Sequence, residues 1–176
     1  MSGFFIFSTY LYLMIKKTIS CEIEVYESEK ALQPNDKSLM QAAVEARDGS
    51  YAPYSKFNVG AALLLEDGIV VKGSNQENAS YPSGLCAERV AIFAAGANYP
   101  NKKIMAIAIS VASQLHLVDR PAAPCGNCRQ AILEYEVKQQ TPISILMQGA
   151  EGAVYKSESL GNLLPLSFDG SFLGDS

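Results

Sequence analysis

Apolar positions recur along the chain in short blocks, and their spacing changes from one block to the next. Cys21–Tyr26 (CEIEVY) alternates well enough to predict a short strand. Asp36 is expected to cap a helix through about Asp48, because Leu39, Met40, Ala43 and Val44 share one face and Gly49 follows as a stop. Phe57–Leu65 and Ile69–Gly73 flank Glu66-Asp67-Gly68 and predict a β-hairpin. Asn75–Gly84 is polar and rich in turn formers. The alanine-heavy stretch Leu85–Ala95 predicts a helix ended by Gly96. Ile104–Val111 (IMAIAISV) is almost wholly apolar, which suits a central strand covered on both faces. After a loop at Pro121–Pro124, a helix is expected from about Cys125 to Val137. Strands at Pro142–Gln148 and Ala153–Tyr155 and a short helix at Ser157–Leu163 complete the pattern. The order α-β-β-α-β-α-β-β predicts an α/β fold, a mixed sheet with helices packed on it.

Composition narrows the reading. A chain of 176 residues suits one domain, and 48% hydrophobic with 18% charged residues excludes a disordered or collagen-like protein. Lys and Arg number 14 against 18 Asp and Glu, a net charge of −4. A surface built to hold polyphosphate is basic, so this balance favours a small neutral substrate over nucleic acid. The apolar run from Phe4 to Ile15 is shorter than the roughly 20 residues a membrane span needs, so no membrane association is expected. The run also lacks the leading positive charge and the cleavage site of a secretory signal. Residues 1–13 therefore read as a dispensable extension or an upstream mis-assigned start. Met14-Ile15-Lys16-Lys17 reads as an ordinary cytoplasmic beginning, with 14–176 a single domain.

The chemistry lies at two predicted helix starts. Cys86-Ala87-Glu88 opens one, and Pro124-Cys125-Gly126-Asn127-Cys128 opens the next. The dipole and free N–H groups of a helix N-terminus favour the thiolate form that a metal needs. With the helices side by side, Cys86, Cys125 and Cys128 offer three sulfurs to one Zn²⁺, leaving a fourth position open for water as in catalytic sites. Glu88, two residues after Cys86, then reaches that water without binding the metal. A redox Cys-x-x-Cys pair leaves Cys86 and Glu88 without a role. A closed structural zinc site needs a fourth ligand, and only His116 and Cys21 remain to supply it. The plainer readings are a surface-loop histidine and a half-buried apolar cysteine.

Cys-Ala-Glu-Arg (86–89) followed by Pro-Cys-Gly-Asn-Cys-Arg-Gln (124–130) closely resembles the zinc-dependent cytidine deaminases. The likeness extends to Tyr54–Ala62 (YSKFNVGAA), Asn75–Pro82 (NQENASYP) and Leu163–Phe168 (LLPLSF), in order across about residues 36–168. It implies a mixed five-stranded sheet sandwiched between helices in three α/β/α layers. Cysteine at position 86 and a single short domain resemble the small homotetrameric, three-cysteine branch of nucleoside deaminases.

That resemblance implies hydrolysis of cytidine or deoxycytidine to the uridine form with loss of ammonia, in cytoplasmic pyrimidine salvage. Glu88 is the implied proton carrier, one carboxylate serving as acid and base in sequential steps. Arg89 resembles the family arginine that hydrogen-bonds the ligand sulfurs. Asn75 and Glu77 offer an amide and a carboxylate to a ribose hydroxyl, Phe57 is expected against the base, and the Ala87 backbone faces the pyrimidine carbonyl. Ala79, Tyr81 and Phe168 resemble residues that complete a neighbouring subunit's pocket, which makes the active sites shared. Arg129 is given no role. Two rivals remain: a blasticidin-type aminonucleoside deaminase, against which Asn75 and Glu77 argue, and a non-catalytic zinc module, which leaves Glu88 unexplained.

Overall fold

The computed structural model describes residues 14–174, so the expected extension at 1–13 lies outside the described residues. Six strands are present among them: β1 (Glu24–Tyr26), β2 (Phe57–Leu65), β3 (Val70–Ser74), β4 (Ile104–Ser113), β5 (Ser144–Gln148) and β6 (Val154–Ser157). The α-helices are α1 (Pro34–Ala46), α2 (Ala87–Asn98), α3 (Gly126–Gln139) and the single-turn α4 (Leu160–Leu163). The strands form one sheet in the order β1-β6-β5-β4-β2-β3. β4 pairs antiparallel with β2 (Gly60 opposite Ser110) and parallel with β5 (Ile107 opposite Ile145). A parallel neighbour requires a crossover, and α3 supplies it.

Strand alternation sorts the interior into two cores. Ala62, Ala106, Ala108 and Leu146 face α1, meeting Leu39, Met40 and Ala43. Ala61, Leu63, Ile107, Ile109, Ile145 and Met147 face the other way and meet Ala91, Ile92 and Ala95 of α2 and Ile132 and Leu133 of α3. The result is the expected three-layer α/β/α arrangement, and the apolar run of β4 is buried on both faces.

Four details depart from the sequence pattern. The sheet has six strands rather than five, because the three-residue β1 pairs along β6, with Glu24 opposite Lys156. α1 starts three residues earlier, with Gln33 in place of Asp36 at the cap and Pro34 in the first turn. Asp36 then sits inside that turn and accepts a bond from Lys156 Nζ at 3.0 Å. Gly96 does not end α2 but lies within it, since a Cβ there would stand 2.3 Å from Tyr135 Oη on α3. Cys21 is exposed rather than half-buried.

Candidate active site

Two helix N-termini meet at one end of the sheet. Gly73 on β3 lets α2 lie directly on the strand, since a Cβ there would stand 2.5 Å from the Ala87 carbonyl oxygen. The loop before α2 is held at its base by reciprocal backbone bonds, Gln76 N to Leu85 O and Leu85 N to Gln76 O, both at 2.9 Å. Cys86 follows in extended backbone (φ −72°, ψ 154°) as the N-cap of α2. Cys125 has the same role on α3, and Cys128 lies in the first turn.

Cys86 Sγ stands 3.9 Å from Cys125 Sγ, and Cys125 Sγ stands 3.5 Å from Cys128 Sγ. All three sulfurs lie within 4.8 Å of one another. Sulfurs that share one tetrahedral zinc at about 2.3 Å stand roughly 3.8 Å apart, so the spacing fits. Neither His116 nor Cys21 joins this group among the described residues. His116 is an exposed loop residue paired with Ser113 Oγ at 3.3 Å.

The charges point the same way. Hydrogen bonding from Cys128, helped by Arg89 and Cys125, pulls the Cys86 thiol down to about 5. Cys128 is pushed well up by that same bond and by its burial. Arg89 Nε is buried with no hydrogen-bond partner. Its guanidinium is desolvated, yet bonding and attraction to Cys86 and Cys128 raise its pKa overall. A partly buried cation close to the sulfurs offsets charge in a three-sulfur zinc site, which is negative overall.

Beside the sulfurs is a cavity of about 730 Å³ lined by Phe57, Asn75, Glu77, Cys86, Glu88 and Arg89, among others. Glu88 is only 4% exposed, and desolvation pushes its carboxyl above the usual range. It lines the cavity with Cys86 and Cys125 but stays outside the sulfur group.

Residues 33–142 match the family described as the cytidine and deoxycytidylate deaminase zinc-binding region. The chain belongs to that family. It is 48% identical over 96 residues to the cytidine deaminase of Halalkalibacterium halodurans, covering 54% of this chain and 68% of the relative. The cytidine deaminase of Mycobacterium tuberculosis is 37% identical over 129 residues, 72% of this chain and 84% of that protein. The crystal structure of cytidine deaminase from Burkholderia pseudomallei superposes with a TM-score of 0.64 at 41% identity, covering 74% of this chain and 97% of that one.

The substrate-facing residues expected in this deaminase fall into two sets. Phe57, Asn75, Glu77 and Tyr81 line the cavity of their own chain, Tyr81 at its mouth with its ring 6.0 Å from that of Tyr54. The Asn75 amide also braces β2, accepting from Val59 N at 2.8 Å and donating to the Phe57 carbonyl at 2.9 Å. Glu77 accepts from the backbone N–H groups of Tyr54 (2.9 Å) and Ser55 (3.2 Å). The Ser55 hydroxyl, with these amides, holds its pKa below the usual range. Ala87 is fully buried in the first turn of α2.

Ala79, Ala87 and Phe168 do not line this cavity. Ala79 is exposed, and Phe168 lies 54% exposed, its ring stacked on Phe172 with centroids 5.4 Å apart. Tyr54 and Ser55 also line the site without having been singled out. Their signal is membership of the Tyr54–Ala62 stretch that resembles the family, which by itself gives neither side chain a role.

Proposed function

We propose that this chain hydrolyses cytidine and deoxycytidine to uridine and deoxyuridine, releasing ammonia. The observation that carries the reading is Glu88, a buried carboxylate on the cavity wall beside three clustered sulfurs. Cys86, Cys125 and Cys128 would hold zinc, which supplies an open coordination position where water becomes acidic near neutral pH.

The remaining chemistry belongs to the chain. Glu88 accepts a proton from the attacking water and gives it to N3 of the pyrimidine, then takes the proton of the resulting C4 hydroxyl as the carbonyl forms and passes it to the departing amine. Its burial raises its affinity for the proton, so the carboxyl can hold it between steps. Arg89 offsets the charge of the sulfurs. Asn75 and Glu77 keep acceptor and donor capacity for a sugar hydroxyl after bracing β2 and the segment before it, and Phe57 presses on the base. The Ala87 N–H, at a helix N-terminus, is suited to the pyrimidine carbonyl.

The working form is a homotetramer in which Ala79 and Phe168, outside the cavity of their own chain, complete a neighbouring pocket, while Tyr81 lines its own. Supporting this, a single chain leaves Leu166 (88%), Phe172 (69%) and Leu173 (77%) exposed beside Phe168. The reaction serves cytoplasmic pyrimidine salvage. No helix among the described residues is long and apolar enough to cross a membrane.

The test is the change in ultraviolet absorbance of cytidine and deoxycytidine with the purified protein. The expected result is turnover that a chelator stops and added zinc restores. Absence of turnover on either nucleoside, with zinc loaded, would contradict the reading.

A further inference from the structure

The first turn of α3 carries a clamp as well as sulfurs. Arg129, directly after Cys128, donates through Nε to the Pro124 carbonyl at 2.8 Å and through Nη1 to the Leu163 carbonyl at 2.6 Å. Pro124 immediately precedes Cys125, and Leu163 is the last residue of α4. One planar cation therefore joins the turn that presents Cys125 to the end of another helix.

Leu163 is a firm post for such a clamp. The Glu136 carboxylate on α3 receives the N–H groups of Leu160 (2.8 Å) and Gly161 (3.0 Å), fixing the start of α4. Leu163 itself is buried in the core beneath α2 and α3. Cys125, by contrast, is exposed and makes no side-chain capping bond on its own helix. Its placement is set by the backbone on either side: the Arg129 N–H bonds the Cys125 carbonyl at 2.9 Å, and the Arg129 side chain holds Pro124.

We propose that Arg129 is a positioning residue for the Cys125 sulfur, holding it in reach of the ion bound by Cys86 and Cys128. The proposal rests on the zinc reading of the three-sulfur group. The guanidinium fork is what the role requires, because it directs two N–H groups to separate carbonyls at a fixed angle. A lysine ammonium is compact and cannot hold the same pair in the same plane.

The test measures zinc release from the loaded protein to a chromogenic chelator, comparing wild type, Arg129→Lys, Arg129→Met and Leu39→Ala. Leu39 lies on α1, buried against the face of the sheet opposite α3, so Leu39→Ala loosens the fold without touching the clamp. Both Arg129 variants are expected to release zinc about 10-fold or more faster than wild type. Leu39→Ala is expected to melt earlier but to release zinc at the wild-type rate. Wild-type release from Arg129→Lys would overturn the proposal, and so would equally fast release from Leu39→Ala. If Arg129→Met fails to fold, the lysine variant decides. A wild-type protein that takes up no zinc would instead remove the metal reading beneath the proposal.

Discussion

Gly73 on β3 and Ala87 on α2 are in backbone contact: any Cβ at position 73 would stand 2.5 Å from the Ala87 carbonyl oxygen and 2.6 Å from the Ala91 nitrogen. The contact fixes the height of α2 over the sheet, and with it the position of Cys86 and Glu88 at the start of that helix. Neither obstacle is the end of a flexible side chain, so an added methyl must displace the helix. Gly73→Ala is expected to lose about 1–3 kcal/mol of stability and to bind less than one zinc per chain. Thermal melting and metal analysis check both, and a variant with wild-type melting and full zinc would show that α2 is not held by this contact.

Arg89 carries the electrostatic part of the account. Its Nε is buried without a partner, and its pull on Cys86 helps hold that thiol down to about 5. Arg89→Gln keeps a donor but removes the charge. Zinc affinity is expected to fall about 10- to 100-fold, as read by competition with a chelator of known affinity.

Zinc removal has its own signature. Three sulfurs drawn from two helices are linked only through the fold, so an ion that joins them stabilises the native state. The metal-free protein is expected to melt earlier than the loaded one, and re-addition of zinc is expected to restore the higher melting temperature. Identical melting curves would mean that the sulfurs do not share an ion.

Phe168 tests the shared pocket. Because its ring is 54% exposed and absent from the cavity of its own chain, Phe168→Ala is expected to leave the protomer's circular dichroism unchanged. A rise in KM together with a shift toward smaller species in sedimentation is the expected result. Wild-type KM in a tetrameric Phe168→Ala protein would remove Phe168 from the neighbouring pocket.

How much of this was legible in the chain depends on what kind of constraint each feature obeys. The apolar run of β4 and the hairpin of β2 and β3 follow local rules of alternation and turn chemistry, so the pattern reveals them directly. The sulfur cluster is legible because metal chemistry restricts residue type and spacing together. β1 is three residues long, and only its partner β6 makes it part of the sheet. Gly96 looks like a helix terminator until Tyr135 is seen beside it. The bonds of Arg129 to Pro124 and Leu163 join positions up to 34 residues apart, which no local pattern encodes. The double duty of Asn75, bracing β2 while lining the cavity, likewise emerges only in three dimensions.

The central claim is that Glu88 moves protons beside a metal it does not bind. Glu88→Gln preserves shape and volume while abolishing that chemistry, so zinc content and turnover measured on the same preparation separate the two roles. The expected result is one zinc per chain with turnover on cytidine reduced about 10²- to 10⁴-fold. A Glu88→Gln protein that turns over cytidine near the wild-type rate, or that has lost its zinc, would contradict it.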